Sequence, residues 1–141
     1  MNATRLNDEQ IAILTTSSAD DELNEAQLAI FKGLLEARRA ELREAFSQSR
    51  NESNESLTAA DPVDRATLES EFAAILNNRE AMVLELERIA AALARIEAGE
   101  FGYCEMTGAR IPMARLMAIP TTQFTVEAQA MNEFHERMRA A

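Results

Sequence analysis

Asp61 and Asp64 stand three apart around a proline, in Asp61-Pro62-Val63-Asp64. Two carboxylates set this close can act as general acid and base or help to hold a cation. The same residues suit a helix start. Asp61 fits the N-cap, Pro62 the first helical position and Asp64 the first turn. Both readings stand at this point. The chain has a single cysteine, Cys104, and a single histidine, His135. One cysteine excludes an intrachain disulfide framework. Beside Tyr103, Cys104 reads either as a redox-sensitive thiol or as a small buried apolar residue. His135 reads as a surface residue of a terminal helix. No nucleophile–base pair and no phosphate-cradling glycine-rich loop is apparent, so no enzyme is expected.

The composition narrows the partners. The 141 residues give room for one domain, or for one small core plus an extended element. Acids outnumber bases 24 to 14, a formal net charge of -10 that would repel phosphates, so no direct DNA binding is expected. Aromatics are 5% of residues and Trp is absent, which argues against a large packed core. No apolar run approaches the roughly 20 residues of a membrane span. Met1-Asn2-Ala3-Thr4-Arg5 leads into a polar stretch with no apolar signal region, so a cytoplasmic location is expected.

The elements that must position these residues are long helices. Between Leu34 and Gly99 there is no Gly and one Pro, in a stretch rich in Ala, Leu, Glu and Arg. The first long helix starts near Asn24, a good N-cap. Leu28, Leu35 and Leu42 are seven apart, as in a coiled-coil seam, with Phe31 and Phe46 near helical spacing. Arg38 and Ala45 make the seam imperfect. Residues 47–60 read as a frayed helix end and a turn. The second long helix begins at Asp61 and carries Phe72, Ile75, Met82, Leu86, Ile89, Leu93 and Ile96 in 3–4 alternation, with Arg79 as the polar exception. Glu85, Arg88 and Arg95 read as part of its solvated rim. The helix stops at Gly99.

Two such helices joined by a polar turn form an antiparallel hairpin. The expected fold is mainly α: a long coiled-coil hairpin over 24–99, with its tip near 51–66, projecting from a small globular base. Residues 1–23 form an N-terminal segment packing on that base. Residues 100–125 are a turn-rich unit, with Phe101, Tyr103, Ile111, Leu116, Ile119 and Phe124 as its core. Residues 126–141 are a C-terminal helix.

Three stretches then resemble the DksA/TraR family of bacterial transcription factors. They are Leu23-Asn24-Glu25-Ala26-Gln27-Leu28 through Phe31, Asp61-Pro62-Val63-Asp64-Arg65-Ala66-Thr67, and Gly102-Tyr103-Cys104-Glu105-Met106-Thr107-Gly108 followed by Ile111, Arg115-Leu116 and Ala118-Ile119-Pro120-Thr121. The resemblance covers roughly residues 23 to 135. It implies a factor that binds RNA polymerase rather than DNA, inserts its hairpin into the secondary channel and alters promoter complexes. Family action typically represses ribosomal RNA promoters and activates some amino-acid biosynthesis promoters in the stringent response. It also implies that Asp61, Asp64 and the small Ala66 are the polymerase-active tip. A monomer is expected. The rivals are a transcript-cleavage factor of the same channel and a helical scaffold with no polymerase partner.

Most described members of this family carry four zinc-binding cysteines as C-x2-C-x17-C-x2-C. The matching positions are Cys104, Thr107, Thr125 and Ala128. One thiolate cannot make a structural zinc site. The resemblance therefore implies a zinc-independent member, with no metal cofactor. Guanosine tetraphosphate is the co-regulator of the family. Arg88 keeps positive charge at one of its basic positions, while Ile119 and Gln129 stand where relatives can carry bases. The resemblance thus implies weakened synergy.

Overall fold

A computed structural model describes residues 5–16, 22–58 and 65–140, without the side chains of 52–58 and 65–66. It is mainly helical, with five helices among the described residues: α1 (Asp8–Leu14), α2 (Glu25–Thr58), α3 (Arg65–Ala98), α4 (Met113–Ala118) and α5 (Val126–Ala140).

The first two helices begin alike. Gln10 N–H donates to Asn7 Oδ1 at 2.8 Å, and Asn7 N–H donates back to Gln10 Oε1 at 3.0 Å. Asn24 and Gln27 repeat this reciprocal cap at 2.9 and 3.0 Å. Gln27 is fully buried, and its side-chain amide also donates to the Ile13 carbonyl at 3.3 Å, tying α2 to the end of α1. Its cap role and its burial are one fact: the amide reaches two backbone groups that would otherwise lack a partner.

α2 and α3 are each 34 residues, so each is about 50 Å long at 1.5 Å per residue. They run antiparallel. Lys32 pairs with Glu97, Arg38 with Glu85, and the Arg79 guanidinium lies over the Phe46 ring. The α3 partner falls in number as the α2 residue rises. The polar run from Ser47, expected as a frayed end and turn, is helical through Thr58. It contains neither Gly nor Pro, and nothing in it stops a helix already propagating. α3 ends at Gly99, whose φ of 75° is the left-handed conformation a helix stop needs.

The core gathers where the hairpin meets the base. Leu14, Phe31, Ile89, Ile111 and Leu116 are fully buried, with Leu35, Leu42, Ala92, Phe101 and Cys104 nearly so. The Phe31 and Phe101 rings meet at 5.3 Å between centroids, joining α2 to the base. Each fully buried side chain of this size contributes roughly 1.5–3 kcal/mol. One expected core residue departs from this pattern: Ile119 is 46% exposed. It follows α4 in a turn running into Pro120, where its side chain faces a surface groove.

Candidate functional site

The stretch after α3 is built from turns. Gly102, at φ 94°, has backbone that only glycine adopts readily, and a Cβ there would come within 2.8 Å of Leu23 Cδ1. Cys104 N–H donates to the Ala109 carbonyl at 2.7 Å and Gly108 N–H to the Cys104 carbonyl at 2.8 Å, closing a tight loop. An isolated antiparallel bridge pairs Tyr103 with Arg110.

Cys104, Thr107, Thr125 and Ala128 converge around this loop. Cys104 is 3% exposed, Thr125 and Ala128 are buried, and Thr107 lies at the surface. Burial alone would push the Cys104 thiol up. The Thr107 hydroxyl and the backbone N–H groups of Thr125, Thr107 and Met106 outweigh it and hold the thiol at about 6. Thr125 serves α5 as well through its side chain, whose hydroxyl accepts from Ala128 N–H at 3.2 Å and so caps that helix. The donor set does not fit zinc. It offers one sulfur, two neutral hydroxyls and a methyl group, where a structural site needs four thiolate or imidazole ligands. Among the described residues no cluster of three His, Cys, Asp or Glu could hold a metal ion.

Arginine side chains bind this base together, and the sequence pattern did not reveal them. Arg95, read as part of a solvated rim, has a side chain only 11% exposed. It donates to Glu105 Oε1 at 2.6 Å, to the Glu100 carbonyl at 3.1 Å and to the Tyr103 carbonyl. Arg110 donates to the carbonyls of Gly102 and Ile111 at 3.2 and 2.9 Å. Arg115 Nε donates to the Phe124 carbonyl at 2.9 Å. The planar guanidinium, with five donors, suits loops whose carbonyls lack ladder partners.

The remaining predicted positions are more dispersed. Asp61 and Asp64 lie outside the described residues. Ala66 falls in the first turn of α3, and its side chain is likewise outside them. Arg88 is exposed on α3, one residue from Ile89. Ile89 and Ile119 line one groove of about 470 Å³, together with Arg5, Arg38 and Met117. Gln129 is half-buried on α5 and donates to Glu133 at 3.1 Å. His135 is exposed.

A coiled-coil hairpin mounted on a zinc-finger-shaped base defines a narrow class of proteins. Residues 27–96 match the family model described as the DksA N-terminal domain, and residues 99–133 match the prokaryotic dksA/traR C4-type zinc finger. A relative in Escherichia coli, named RNA polymerase-binding transcription factor DksA, is 36% identical over 122 residues, covering 86% of this chain and 81% of that one. A relative of the same name in Caulobacter vibrioides is 40% identical over 123 residues, covering 85% and 87%. The solved structure of transcription factor DksA2 from Pseudomonas aeruginosa superposes with a TM-score of 0.81 at 30% identity, covering 92% of this chain and 98% of that one. The chain belongs to the DksA family.

Proposed function

We propose that this chain is a transcription regulator that binds RNA polymerase directly, reaches into its secondary channel with the α2–α3 hairpin and alters promoter-complex stability, folding without zinc. The observation that carries the reading is the antiparallel hairpin of two 34-residue helices on a base that matches the family over residues 99–133. Relatives of the same architecture are named for polymerase binding. The chain is not an enzyme in this reading. Asp61 and Asp64 act as charged contacts at the tip, with Ala66 allowing close approach. The cytoplasm is where such a partner is met.

The zinc-independent part rests on the base itself. Hydrogen bonds from Thr107 and from backbone N–H groups reach the Cys104 thiol, and Arg95 crosses from α3 to the loop. Guanosine tetraphosphate synergy is weakened, because Arg88 is the one cation kept among the three positions where relatives can carry bases.

Co-purification with core RNA polymerase, repeated after a strong chelator, tests the reading. Binding that survives chelation with an unchanged melting temperature is expected. A large chelator-induced fall in melting temperature overturns zinc independence, and loss of polymerase altogether overturns the partner. Asp64→Asn keeps much of the capping but removes charge, and is expected to abolish regulation on a ribosomal promoter. Cleavage of RNA in backtracked complexes would instead make the chain a cleavage factor.

A further inference from the structure

The two long helices carry one pattern twice, with opposite charge. On α2, Phe46 stands three residues after Arg43 and four before Arg50. On α3, Val83 stands three after Glu80 and four before Glu87. Residues three and four apart are neighbours on a helix surface, so each apolar side chain lies between two charges of one sign. Phe46 and Val83 line the same groove of about 560 Å³, together with Leu76, and both patterns therefore face one flank of the hairpin. Leu76 and Val83 are 39% and 40% exposed, and all four charged residues are exposed.

The bridge from Lys32 to Glu97, at 3.3 Å, sets the heights. Arg43 lies eleven residues on from Lys32 and Glu87 ten back from Glu97, so the two stand level within about 1.5 Å. Arg50 and Glu80, seven further along each helix, are level in the same way. These heights make no bond inside the chain: among the described residues none of the four has an ion-pair partner. The base leaves this flank clear. It stands against the other one, where Leu34 and Glu85 share a groove with Met117 and Pro120, while Ala90 and Ala94 are exposed.

We propose that this flank binds a second copy of the chain. A two-fold axis along the hairpin, with both tips pointing the same way, lays α2 of each copy on α3 of the other and keeps every residue at its height. Arg43 then meets Glu87 of the other copy and Arg50 meets Glu80, and the symmetry repeats both pairs. Four ion pairs border a shared apolar strip of Phe46, Leu76 and Val83 from each copy. Every neighbouring helix pair is antiparallel, as in a four-helix bundle. Glu36, seven before Arg43, meets Ala94, seven after Glu87, so no acid faces an acid there. From Ala73 to Ala94 the flank runs about 30 Å, and two helices side by side are about 20 Å wide, so each copy contributes on the order of 600 Å². A standard stable interface takes about 800 Å² per partner. The pair is therefore reversible, with a dissociation constant of roughly 10–100 μM. The pairing needs no polymerase, and the monomer expected from the sequence is its dilute form.

Sedimentation equilibrium of the full chain from about 1 to about 500 μM tests the pairing. Wild type is expected to pass from monomer to dimer, and to do so less readily as salt rises. Arg43→Glu with Arg50→Glu sets acids against acids, and Glu80→Arg with Glu87→Arg sets bases against bases. Each double variant alone is expected to weaken the dimer about tenfold or more. An equimolar mixture of the two restores opposite charges at all four pairs and is expected to dimerise at least as tightly as wild type. Circular dichroism checks that each variant keeps wild-type helix content. Where a double variant loses helix, Val83→Gln decides, with an expected weakening of about tenfold. A wild type that stays monomeric throughout, as it does if the flank serves a different protein, overturns the second copy as occupant. Wild-type dimerisation in the double variants or in Val83→Gln overturns this flank as the contact. A mixture that stays monomeric overturns the facing pairs.

Discussion

The hairpin and the base solve the same problem by different means. In the hairpin, a seam of apolar residues repeats: Phe31, Leu35 and Leu42 on α2 meet Met82, Leu86, Ile89 and Leu93 on α3. Each layer resembles the next, and the ion pairs along its sides are largely exposed. In the base, between α3 and α5, no described element exceeds the six residues of α4, and almost every tie is made once. Arg95, Arg110 and Arg115 cross gaps that a ladder of backbone bonds would otherwise fill. Repetition tolerates the loss of one layer. A set of single ties does not, and the difference predicts where damage concentrates.

The sharpest way to break the comparison is at the joint. Phe31→Ala removes the fully buried ring that meets Phe101, and is expected to cost about 3–5 kcal/mol in urea unfolding. A smaller cost would mean that the two regions hold each other less than their packing shows. Next comes pH. The folded state holds Cys104 at about 6 against its ordinary 9.0, so it keeps the thiolate where the unfolded chain keeps the thiol. That stabilisation is complete above about pH 9 and is lost as pH falls through 6. The difference corresponds to at most on the order of 4 kcal/mol. Urea midpoints should rise from pH 6 to pH 9 in wild type, and Cys104→Ser should flatten the rise.

Arg95→Met deletes three donated hydrogen bonds, one of them to a carboxylate, and is expected to destabilise by about 2–3 kcal/mol with helix content little changed. On the hairpin, Lys32→Ala breaks a pair whose side chains are 47% and 72% exposed, and thermal unfolding should move by less than about 0.5 kcal/mol. If Lys32→Ala cost as much as Arg95→Met, the contrast between repeated and single ties would fail.

This contrast also governs what could be read without coordinates. Asn24 as a cap, Gly99 as a stop and the heptads between them follow from local spacing, and the helices appear there. Arg95 did not announce itself, because its partners are two carbonyls and a carboxylate of a loop that chain topology alone brings near. Ile119 has the residue type of a core position, and nothing in its neighbours indicates that the turn before Pro120 points it outward. The four positions that match the family's cysteines came from the resemblance and not from their own residue types. That Thr125 shares its groups between the Cys104 thiol and the first turn of α5 was not legible, since a threonine carries no mark of which donor it serves. The helix through Thr58 went unread because polar composition resembles a turn when only side chains are counted.

A rod of about 50 Å fastened near one end is a lever. A tilt of about 5° at Phe31 and Phe101 carries its far end roughly 4 Å sideways, more than the distance across a hydrogen bond. The stiffness of the small foot therefore sets the aim of the whole shaft, and an arginine of the base, far from the shaft's other end, helps decide where that end points.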